Sequence, residues 1–294
     1  MTPTAMLRAR LRDPGMITAP GAYDGLTAAL VAQAGFPVVY MTGAGTAAGH
    51  GYPDFGLLTG SEMVANAARM VRAVDVPVIA DADTGYGNEL NVVRTIQDYE
   101  RAGVAGVHIE DQVSPKRCGH LDDKEIVPRE DWLAKIRAAA FARRDPDFLI
   151  IARTDSRAVI GFEEAIARAN AALDAGADMA FVEAPRTLEE IAAVPKLVRG
   201  PCLLNVVWGG KTPDIDLREA QALGYKIAIV PGLLFKAVIG ACDTALAALK
   251  ATHRHPVPAG NMTVTDAFNR VGAREWGAYR TQFRSPEPEL KAAD

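Results

Sequence analysis

Short apolar runs alternate regularly with longer segments of helical spacing, and this order restricts the fold more than any other feature of the sequence. Eight apolar or β-branched runs recur at residues 16–19, 38–42, 77–83, 106–111, 148–155, 179–184, 202–207 and 226–231. Apolar residues at helical spacing follow each run, at residues 24–34, 60–73, 89–102, 129–143, 162–175, 187–198, 217–223 and 233–252. Because the alternation never breaks and each crossover is long enough for a right-handed βαβ unit, the sequence predicts a single α/β fold, a (βα)8 barrel of the TIM type.

The alternatives for a chain of 294 residues are two smaller domains or one open, doubly wound sheet. A doubly wound sheet needs a glycine-rich nucleotide fingerprint after its first strand. The glycine cluster at residues 43–51 follows the second strand instead, lacks the GxGxxG spacing and continues into Tyr52 and Pro53. The barrel is therefore favoured, and the cluster is predicted to be a mobile loop.

Residues 1–254 are predicted to hold the barrel, and residues 255–294 a C-terminal helical extension. The extension opens with Pro256, Pro258 and Gly260, continues with a helix-prone stretch at 264–279 and ends in a charged tail. Such a segment is either an arm for oligomerisation or a frayed terminus.

Charge and cysteine content exclude several classes of partner. A net charge of −4 without a block of like charges argues against nucleic-acid and membrane partners. The first 19 residues contain no apolar signal segment and no window reaches 18 apolar residues, so a cytoplasmic protein is expected. Three cysteines are too few for a disulfide framework. Two of them, Cys202 and Cys242, lie in apolar stretches and are predicted to be buried packing residues.

Polar residues stand at the carboxyl ends of the predicted strands, where barrels carry their active sites. They are Tyr40, Thr42, Asp81, Asp83, His108, Glu110, Asp111, Arg153, Asp155, Glu183 and Asn205. Six of them are carboxylates, which are costly to bury unless they are paired, protonated or coordinated. A divalent cation is therefore predicted at this rim. The alternative is a network in which the acids pair with Arg153, Arg94 or lysines.

The spacing of Asp81 and Asp83 is the first argument for the identity of that cation. The two residues are two positions apart, so both are predicted to point to one face of their strand. Oxygen ligands favour Mg²⁺, with Mn²⁺ as the second choice, over zinc. Glu110 and Glu183 are then predicted to hold water molecules of the metal.

Cys118 differs from the other cysteines in its surroundings. It lies in a polar loop after the fourth strand, and Lys116, Arg117 and His120 are predicted to lower the pKa of its thiol. Its predicted role is acid, base or nucleophile. The alternative is an incidental loop thiol.

The loop around Cys118 and the strand-end motifs resemble one known family. Lys116-Arg117-Cys118-Gly119-His120 is similar to the lyase loop of the isocitrate lyase/phosphoenolpyruvate mutase superfamily, most closely its methylisocitrate lyase-like branch. The supporting motifs are Tyr40-Met41-Thr42-Gly43, Pro53-Asp54, Asp81-Ala82-Asp83-Thr84-Gly85-Tyr86-Gly87, His108-Ile109-Glu110-Asp111-Gln112, Ala152-Arg153-Thr154-Asp155, Glu183-Ala184 and Asn205. The resemblance covers residues 20–249, and its motifs are far more specific together than singly.

The resemblance implies a Mg²⁺-dependent carbon–carbon lyase, acting on a small carboxylate, whose eighth helix is exchanged between the subunits of a homotetramer. It implies a metal site at Asp81 and Asp83, supported by Asp54 and Glu110. The substrate-binding residues that it implies are Thr42, Gly43, Ala44, Asp81, Gly119, His120, Arg153, Glu183 and Asn205. The catalytic residues that it implies are Cys118, as acid or base, with Tyr40 and Arg153.

These residues fit the retro-aldol cleavage of a 2-hydroxy acid into a 2-oxo acid and a second carboxylic acid. Tyr40 or a water molecule would receive the hydroxyl proton, and the thiol of Cys118 would protonate the carbanion that cleavage leaves. The chain departs from the family at Trp208, where relatives often carry a glutamate, and in the turn Pro231-Gly232-Leu233-Leu234, where relatives often carry a serine or threonine. Both changes predict a more apolar pocket, which brings 2,3-dimethylmalate forward as a candidate substrate beside 2-methylisocitrate.

Three other functions remain alternatives on the sequence alone. An enzyme like carboxyphosphonoenolpyruvate or phosphoenolpyruvate mutase would share the loop. A decarboxylase or hydrolase of 2-oxo acids such as oxaloacetate would generally lack the cysteine. A non-catalytic barrel would not need so many acids at one rim.

Overall fold

The computed structural model describes residues 1–284 and contains the predicted barrel. Eight parallel strands form a closed sheet in sequence order, and the last strand pairs with the first. The strands are β1 (Ile17–Ala22), β2 (Val39–Met41), β3 (Val78–Asp81), β4 (Gly106–Glu110), β5 (Leu149–Thr154), β6 (Met179–Val182), β7 (Cys202–Asn205) and β8 (Ile227–Val230). Each lies at a predicted run, so the α/β barrel is confirmed and the open doubly wound sheet is wrong.

The predicted helices also appear, with bounds within one residue of those expected. The helices are α1 (Pro3–Arg12), α2 (Gly25–Gln33), α3 (Gly43–Gly49), α4 (Gly60–Arg72), α5 (Glu89–Ala102), α6 (Arg129–Ala142), α7 (Ser156–Val159), α8 (Phe162–Asp174), α9 (Leu188–Leu197), α10 (Leu217–Leu223), α11 (Leu233–Thr252), α12 (Val264–Asn269) and α13 (Ala273–Arg284). Helices α1, α3 and α7 were not among the predicted helices, and the helix-prone stretch at 264–279 falls on α12 and α13.

Capping residues in the sequence fix several of these helix ends. At the start of α4, the Thr59 hydroxyl accepts from the Glu62 amide (3.3 Å) while the Glu62 carboxylate accepts from the Thr59 amide (2.7 Å). This reciprocal pair is a capping box. Gly103, with a φ of +85°, ends α5 in the left-handed conformation that glycine adopts without strain.

The glycine cluster forms α3, and its prediction as a mobile loop is wrong. The Thr42 hydroxyl accepts a hydrogen bond from the Gly45 amide (3.4 Å), and Thr46 Oγ1 donates to the Thr42 carbonyl (2.8 Å). Gly45 lies so close to the Tyr23 side chain that an added β-carbon would stand 2.9 Å from it. Capping and close packing therefore order a segment whose composition indicates flexibility.

Helix α1 packs against the amino-terminal ends of the strands. Leu7 is fully buried and belongs to the same apolar cluster as Ile17 of β1 and Leu149 of β5. Arg8 donates to the carbonyls of Asp147 (3.0 Å) and Phe148 (3.2 Å), just before β5. The polar groups of the strands are thus left at the opposite, carboxyl end.

The chain divides into two compact units, Met1–Ile239 and Gly240–Asp294. All eight strands belong to the first unit. The predicted division after residue 254, and an oligomerisation role for the extension, stay predictions. Residues 285–294 of that extension lie outside the described residues. Among the described helices, none has the length and apolar character needed to cross a membrane.

Of the two cysteines predicted to be buried, one is buried and the other is exposed. Cys202 of β7 is buried as predicted, whereas Cys242 of α11 is exposed, so its prediction as a buried residue is wrong. None of the residues of α11 is buried. Within a single chain, an apolar sequence neighbourhood therefore does not bury this thiol.

Candidate active site

A pocket lies at the carboxyl ends of the strands and collects most of the predicted site residues. It is lined by Tyr40, Thr42, Ala44, Asp54, Asp81, Cys118, Gly119, His120, Arg153, Glu183, Asn205, Val207, Pro231, Gly232, Phe235 and Lys236. Three residues of the predicted metal and substrate sites are missing from this lining, but each contacts a residue in it. The Gly43 amide donates to Asp81 Oδ2 (3.2 Å), the Asp83 amide to Asp81 Oδ1 (2.9 Å), and Glu110 pairs with Arg153 (3.1 Å).

The pair Asp81 and Asp83 is set by a turn rather than by strand alternation. β3 ends at Asp81, two residues before the predicted end, and Asp83 lies beyond it with a φ of +45°. Both carboxyl groups are buried. The predicted reason for their proximity is therefore wrong, although the two residues do lie side by side.

Lys116 brings a positive charge into this acidic group. Its ammonium lies 2.5 Å from Asp54 Oδ1 and 2.9 Å from Asp83 Oδ1. Burial opposes the charge, but the carboxylates of Asp83 and Asp54 outweigh it and raise the pKa of Lys116 well above its usual value. The ammonium therefore stays charged.

Arg153 at the end of β5 is the centre of a second buried ion-pair cluster. Its guanidinium reaches Glu110 Oε2 (3.1 Å), Asp155 Oδ2 (2.9 Å) and Glu183 Oε2 (3.5 Å), and its Cζ stands 5.2 Å from the centre of the Phe181 ring. The alternative of acids paired with basic side chains thus holds for Arg153 and for Lys116. It does not hold for the third predicted partner: Arg94 pairs with Asp98 on the surface of α5 (3.3 Å).

Tyr40 and His108 form a buried polar pair next to Asp81. Tyr40 Oη lies 2.8 Å from His108 Nε2, and that nitrogen is 3.6 Å from Asp81 Oδ1. Burial lowers the pKa of His108 to about 4, so the imidazole is neutral near pH 7. Burial, and then the charge of Asp81, raises the pKa of Tyr40 well above its usual value. Tyr40 is therefore a phenol, which argues against its predicted role as the group that receives the hydroxyl proton.

The loop that carries Cys118 lies against the pocket. The Cys118 amide donates to the Asp54 carbonyl (3.1 Å), and the thiol is half-buried. Burial, and then the charge of Asp54, raises the pKa of Cys118 to about 11. The predicted net lowering of this pKa is wrong, because burial and the charge of Asp54 outweigh the lowering effect of Lys116, and Arg117 stacks over the Phe55 ring at 5.7 Å.

His120 connects this loop to two other strands. Its Nδ1 accepts from the Lys211 amide (2.9 Å), which leaves Nε2 to donate to Glu183 Oε1 (3.0 Å). Asn205 Nδ2 also donates to Glu183, at 3.2 Å. The predicted trio of His120, Glu183 and Asn205 is thus one hydrogen-bonded group.

The buried carboxylates of the pocket are candidate ligands for a magnesium ion. In residues 1–284 no three His, Cys, Asp or Glu side chains are placed to hold a metal as a complete protein cage. Mg²⁺ usually takes only one or two carboxylates directly and completes its shell with water and substrate. Asp83 Oδ1 and Glu110 Oε2 are buried and contact only the cations Lys116 (2.9 Å) and Arg153 (3.1 Å), and Glu110 Oε1 is buried without a hydrogen bond. All-oxygen donors, one of them unsatisfied, therefore fit Mg²⁺ of this kind.

Two residues of the pocket lining were not predicted from the sequence. Phe235 and Lys236 of α11 line it, although no motif marks them. Trp208, predicted to make the pocket more apolar, is 79% exposed and outside the lining, with Lys236 Nζ 5.6 Å from its ring centre. The apolar wall comes instead from Val207, Pro231 and Phe235.

Comparison with known proteins places the chain among enzymes that act on small carboxylic acids. The family described as phosphoenolpyruvate phosphomutase matches residues 7–250. The 2,3-dimethylmalate lyase of Eubacterium barkeri is 50% identical over 232 residues, 79% of this chain and 80% of that protein. The 2-methylisocitrate lyase of Aeropyrum pernix is 44% identical over 244 residues, 83% of this chain and 79% of that protein. The structure of oxaloacetate acetylhydrolase with the inhibitor 3,3-difluorooxalacetate has a TM-score of 0.92 at 38% identity, covering 95% of this chain and 96% of that one.

Proposed function

The chain belongs to the phosphoenolpyruvate mutase/isocitrate lyase superfamily, and we propose that it is a Mg²⁺-dependent carbon–carbon lyase. Its substrate is a 2-hydroxy dicarboxylate or tricarboxylate with alkyl substituents, such as 2,3-dimethylmalate or 2-methylisocitrate. Retro-aldol cleavage releases a 2-oxo acid together with a propionate- or succinate-type acid. One observation carries the proposal: the Cys118 thiol lines the same pocket as Asp81 and the Arg153 cluster.

Mg²⁺ is the proposed cofactor, with Mn²⁺ as a substitute. Asp81 and Asp83 would hold it, and Asp54 and Glu110 would support its water molecules. The cation would supply Lewis acidity that favours loss of the proton from the substrate hydroxyl. The buried Glu110 Oε1, which lacks a hydrogen bond, and the proximity of the Asp81 and Asp83 carboxylates support this assignment.

Cys118 is the proposed proton donor. When the bond between C2 and C3 breaks, its electron pair stays on C3 as an enediolate-type carbanion. A water molecule in the pocket takes up the proton of the substrate hydroxyl. The proton of Cys118 Sγ moves to that carbon, and the thiolate recovers the hydroxyl proton from this water molecule. A pKa of about 11 keeps the thiol protonated at neutral pH, as a general acid requires.

Tyr40 and Arg153 have supporting roles in this proposal. Tyr40 Oη would hydrogen-bond the substrate hydroxyl as a neutral phenol. Arg153, held by three carboxylates, places a fixed positive charge beside the substrate carboxylate. Gly119, His120, Glu183 and Asn205 would contact the substrate from the loop and from β6 and β7.

We place the substrate carboxylate next to the reacting carbon at the start of the short helix α3. Thr42 and Ala44 line the pocket there. The Gly43 amide already donates to Asp81 Oδ2, so it orients that carboxylate instead of facing the substrate.

The wall of the pocket supports alkyl-substituted substrates. Val207, Pro231 and Phe235 offer apolar surface, and Lys236 supplies one positive charge at the same side. A methyl group gains from apolar contact, whereas an extra carboxymethyl arm would need additional polar partners. We therefore rank 2,3-dimethylmalate before 2-methylisocitrate.

A homotetramer with exchanged eighth helices is also proposed. The helix α11 is mostly apolar, yet none of its residues is buried. Light scattering coupled to gel filtration measures the mass of the assembly, and a monomer in solution would contradict this part of the proposal.

A substrate panel tests the function. The purified protein with Mg²⁺ is given 2,3-dimethylmalate, 2-methylisocitrate, isocitrate, oxaloacetate and phosphonopyruvate, and release of pyruvate or glyoxylate is measured. We expect pyruvate from the first two compounds, with the higher kcat/KM for the first. Turnover of phosphonopyruvate alone, followed by phosphorus NMR, would instead identify a mutase, which the description of the matching family makes the second candidate. Turnover of oxaloacetate alone would identify a decarboxylase or hydrolase of 2-oxo acids.

A further inference from the structure

Lys124 is a buried cation that lies outside the pocket lining. Its side chain is 1% exposed, and its ammonium lies 2.9 Å from Asp155 Oδ1. The same nitrogen donates a hydrogen bond to the carbonyl of Gly119, the residue after Cys118. An ammonium in such a site is costly without partners, so the interactions that satisfy it constrain the chain on both sides.

The loop between Gln112 and Ile126 is closed at its base. These two residues form an antiparallel bridge, and the Val113 amide donates to the Glu125 carbonyl (2.8 Å). Within the loop, the Gln112 amide group holds the backbone of Arg117 through bonds of 2.8 and 3.0 Å. The tip with Cys118 and Gly119 is therefore attached at the base, and Lys124 provides a second attachment across the loop.

Asp155, the partner of Lys124, is itself held firmly. It is fully buried, and its amide donates to Asp111 Oδ1 at 2.7 Å. Asp111 in turn pairs with Arg168 of α8 at 3.1 Å. A carboxylate fixed in this way can define the position of the groups that bind it.

Asp155 also binds Arg153, which lines the pocket. Arg153 Nε lies 2.9 Å from Asp155 Oδ2, and Arg153 Nη2 lies 3.3 Å from Oδ1, the oxygen that receives Lys124. One carboxylate thus connects the loop to a pocket residue. Movement of the loop tip away from the barrel would break the bond of Lys124 to Gly119 or its pair with Asp155.

We propose that Lys124 is a positioning residue that locks the Cys118 loop against the barrel and links its position to Arg153. Lys124 touches no reacting atom in this scheme. It acts through the Gly119 carbonyl, which sets where the Cys118 thiol stands, and through Asp155, which orients the Arg153 guanidinium. The kinetic part of its test rests on the proposed lyase function, but the loop part does not.

Alkylation of the protein's own cysteines tests the lock without turnover. The protein, with no ligand added, is treated with iodoacetamide, and mass spectrometry follows the peptides of Cys118 and Cys202 separately. In Lys124→Met, we expect Cys118 to react at least ten-fold faster than in wild type. Cys202, buried in β7, reports the fold and should keep its wild-type rate.

A matched variant separates the buried lock from an ordinary loop contact. Lys211 also pairs with this loop, through Asp122, whose side chain is 83% exposed. Exposed pairs contribute little, so Lys211→Met should change the Cys118 rate less than about three-fold. Equal Cys118 rates in wild type and Lys124→Met, or equal effects of the two variants, would overturn the proposal.

A second substitution guards against loss of the fold. If Lys124→Met also exposes Cys202, Lys124→Gln decides the question, because it keeps an N–H donor and removes a charge that is costly to bury. Faster Cys118 alkylation with protected Cys202 in that variant supports the lock, and wild-type alkylation refutes it. With a confirmed substrate, kcat/KM should fall at least ten-fold in Lys124→Met and less in Lys124→Gln. If no substrate of the panel is turned over, the lyase proposal fails, but the alkylation experiment still tests the lock.

Discussion

Replacing Gly119 with alanine should keep the Cys118 loop out of its catalytic position without harming the barrel. A β-carbon at this residue would lie 2.5 Å from Arg153 Nη2 and 2.6 Å from Glu183 Cγ. Both side chains are buried and lie within ion-pair distance of each other. Because neither can move without breaking that cluster, the loop has to move instead.

The size of the effect follows from these distances. Non-bonded heavy atoms pack at about 3.5 Å, so relieving the contact with Arg153 requires the loop to retract by about 1 Å. A misplacement of ~1 Å can cost about 100-fold in rate when it affects a reacting group. We therefore expect Gly119→Ala to lower kcat/KM about 100-fold. The unfolding temperature should stay unchanged, since the loop lies outside the apolar core.

The measurement is release of pyruvate from 2,3-dimethylmalate, together with thermal unfolding by circular dichroism. Gly25→Ala at the start of α2 is the matched control, because its β-carbon would stand 3.5 Å from Ala73 Cβ, an ordinary contact. The control should keep wild-type kinetics. Wild-type kcat/KM in Gly119→Ala would refute the close approach of the loop to Arg153 during turnover.

Four further outcomes are expected. Cys118→Ser should lower kcat by about 10²- to 10⁴-fold with an unchanged unfolding temperature, and wild-type turnover would remove Cys118 as proton donor. The alkylation rate of Cys118 should keep rising up to about pH 9, because burial raises its pKa to about 11 and the reactive thiolate stays scarce below it; a plateau near neutral pH would contradict this. Chelation of divalent cations with EDTA should abolish product release and added Mg²⁺ should restore it, whereas undiminished activity would exclude the proposed cofactor. Arg153→Lys should destabilise the protein by about 1–3 kcal/mol in chemical denaturation, because an ammonium cannot reach Glu110, Asp155 and Glu183 together; wild-type stability would show that the cluster contributes little.

The fold could be predicted because its signals are local. Each βα unit carries its own apolar run and helical spacing, and caps such as Thr59 with Glu62 mark the helix ends. Segment α3 escaped prediction because Gly45 is ordered by the Tyr23 side chain, which belongs to another part of the chain. The exposure of Cys242 was not predicted for a related reason: it depends on what packs around α11 and not on the composition of that helix.

The pocket lining could be predicted to a large extent because barrel geometry brings strand ends together. The protonation of the groups in it could not, since pKa depends on partners from distant loops. In the sequence, Lys116 was predicted to lower the pKa of Cys118. In the structure, Lys116 forms ion pairs with Asp54 and Asp83. Lys124 had no sequence signal at all, because its partner Asp155 lies 31 residues away.

The charge balance of the site is the strongest physical reason to expect a cation there. Of the buried charged residues in 1–284 that line the pocket or contact a residue of its lining, five are carboxylates and three are cations. The carboxylates are Asp81, Asp83, Glu110, Asp155 and Glu183, and the cations are Lys116, Lys124 and Arg153. The excess of two negative charges would repel a dianionic substrate at short range in a medium of low dielectric constant. Protonation offers partial relief, since burial raises the pKa of Glu110 well above its usual value. A proton, however, cannot bind the carboxylate and hydroxyl of a 2-hydroxy acid together. One Mg²⁺ would offset the whole excess and would offer such a binding position, so the proposed cation would let this acidic pocket bind an anionic substrate.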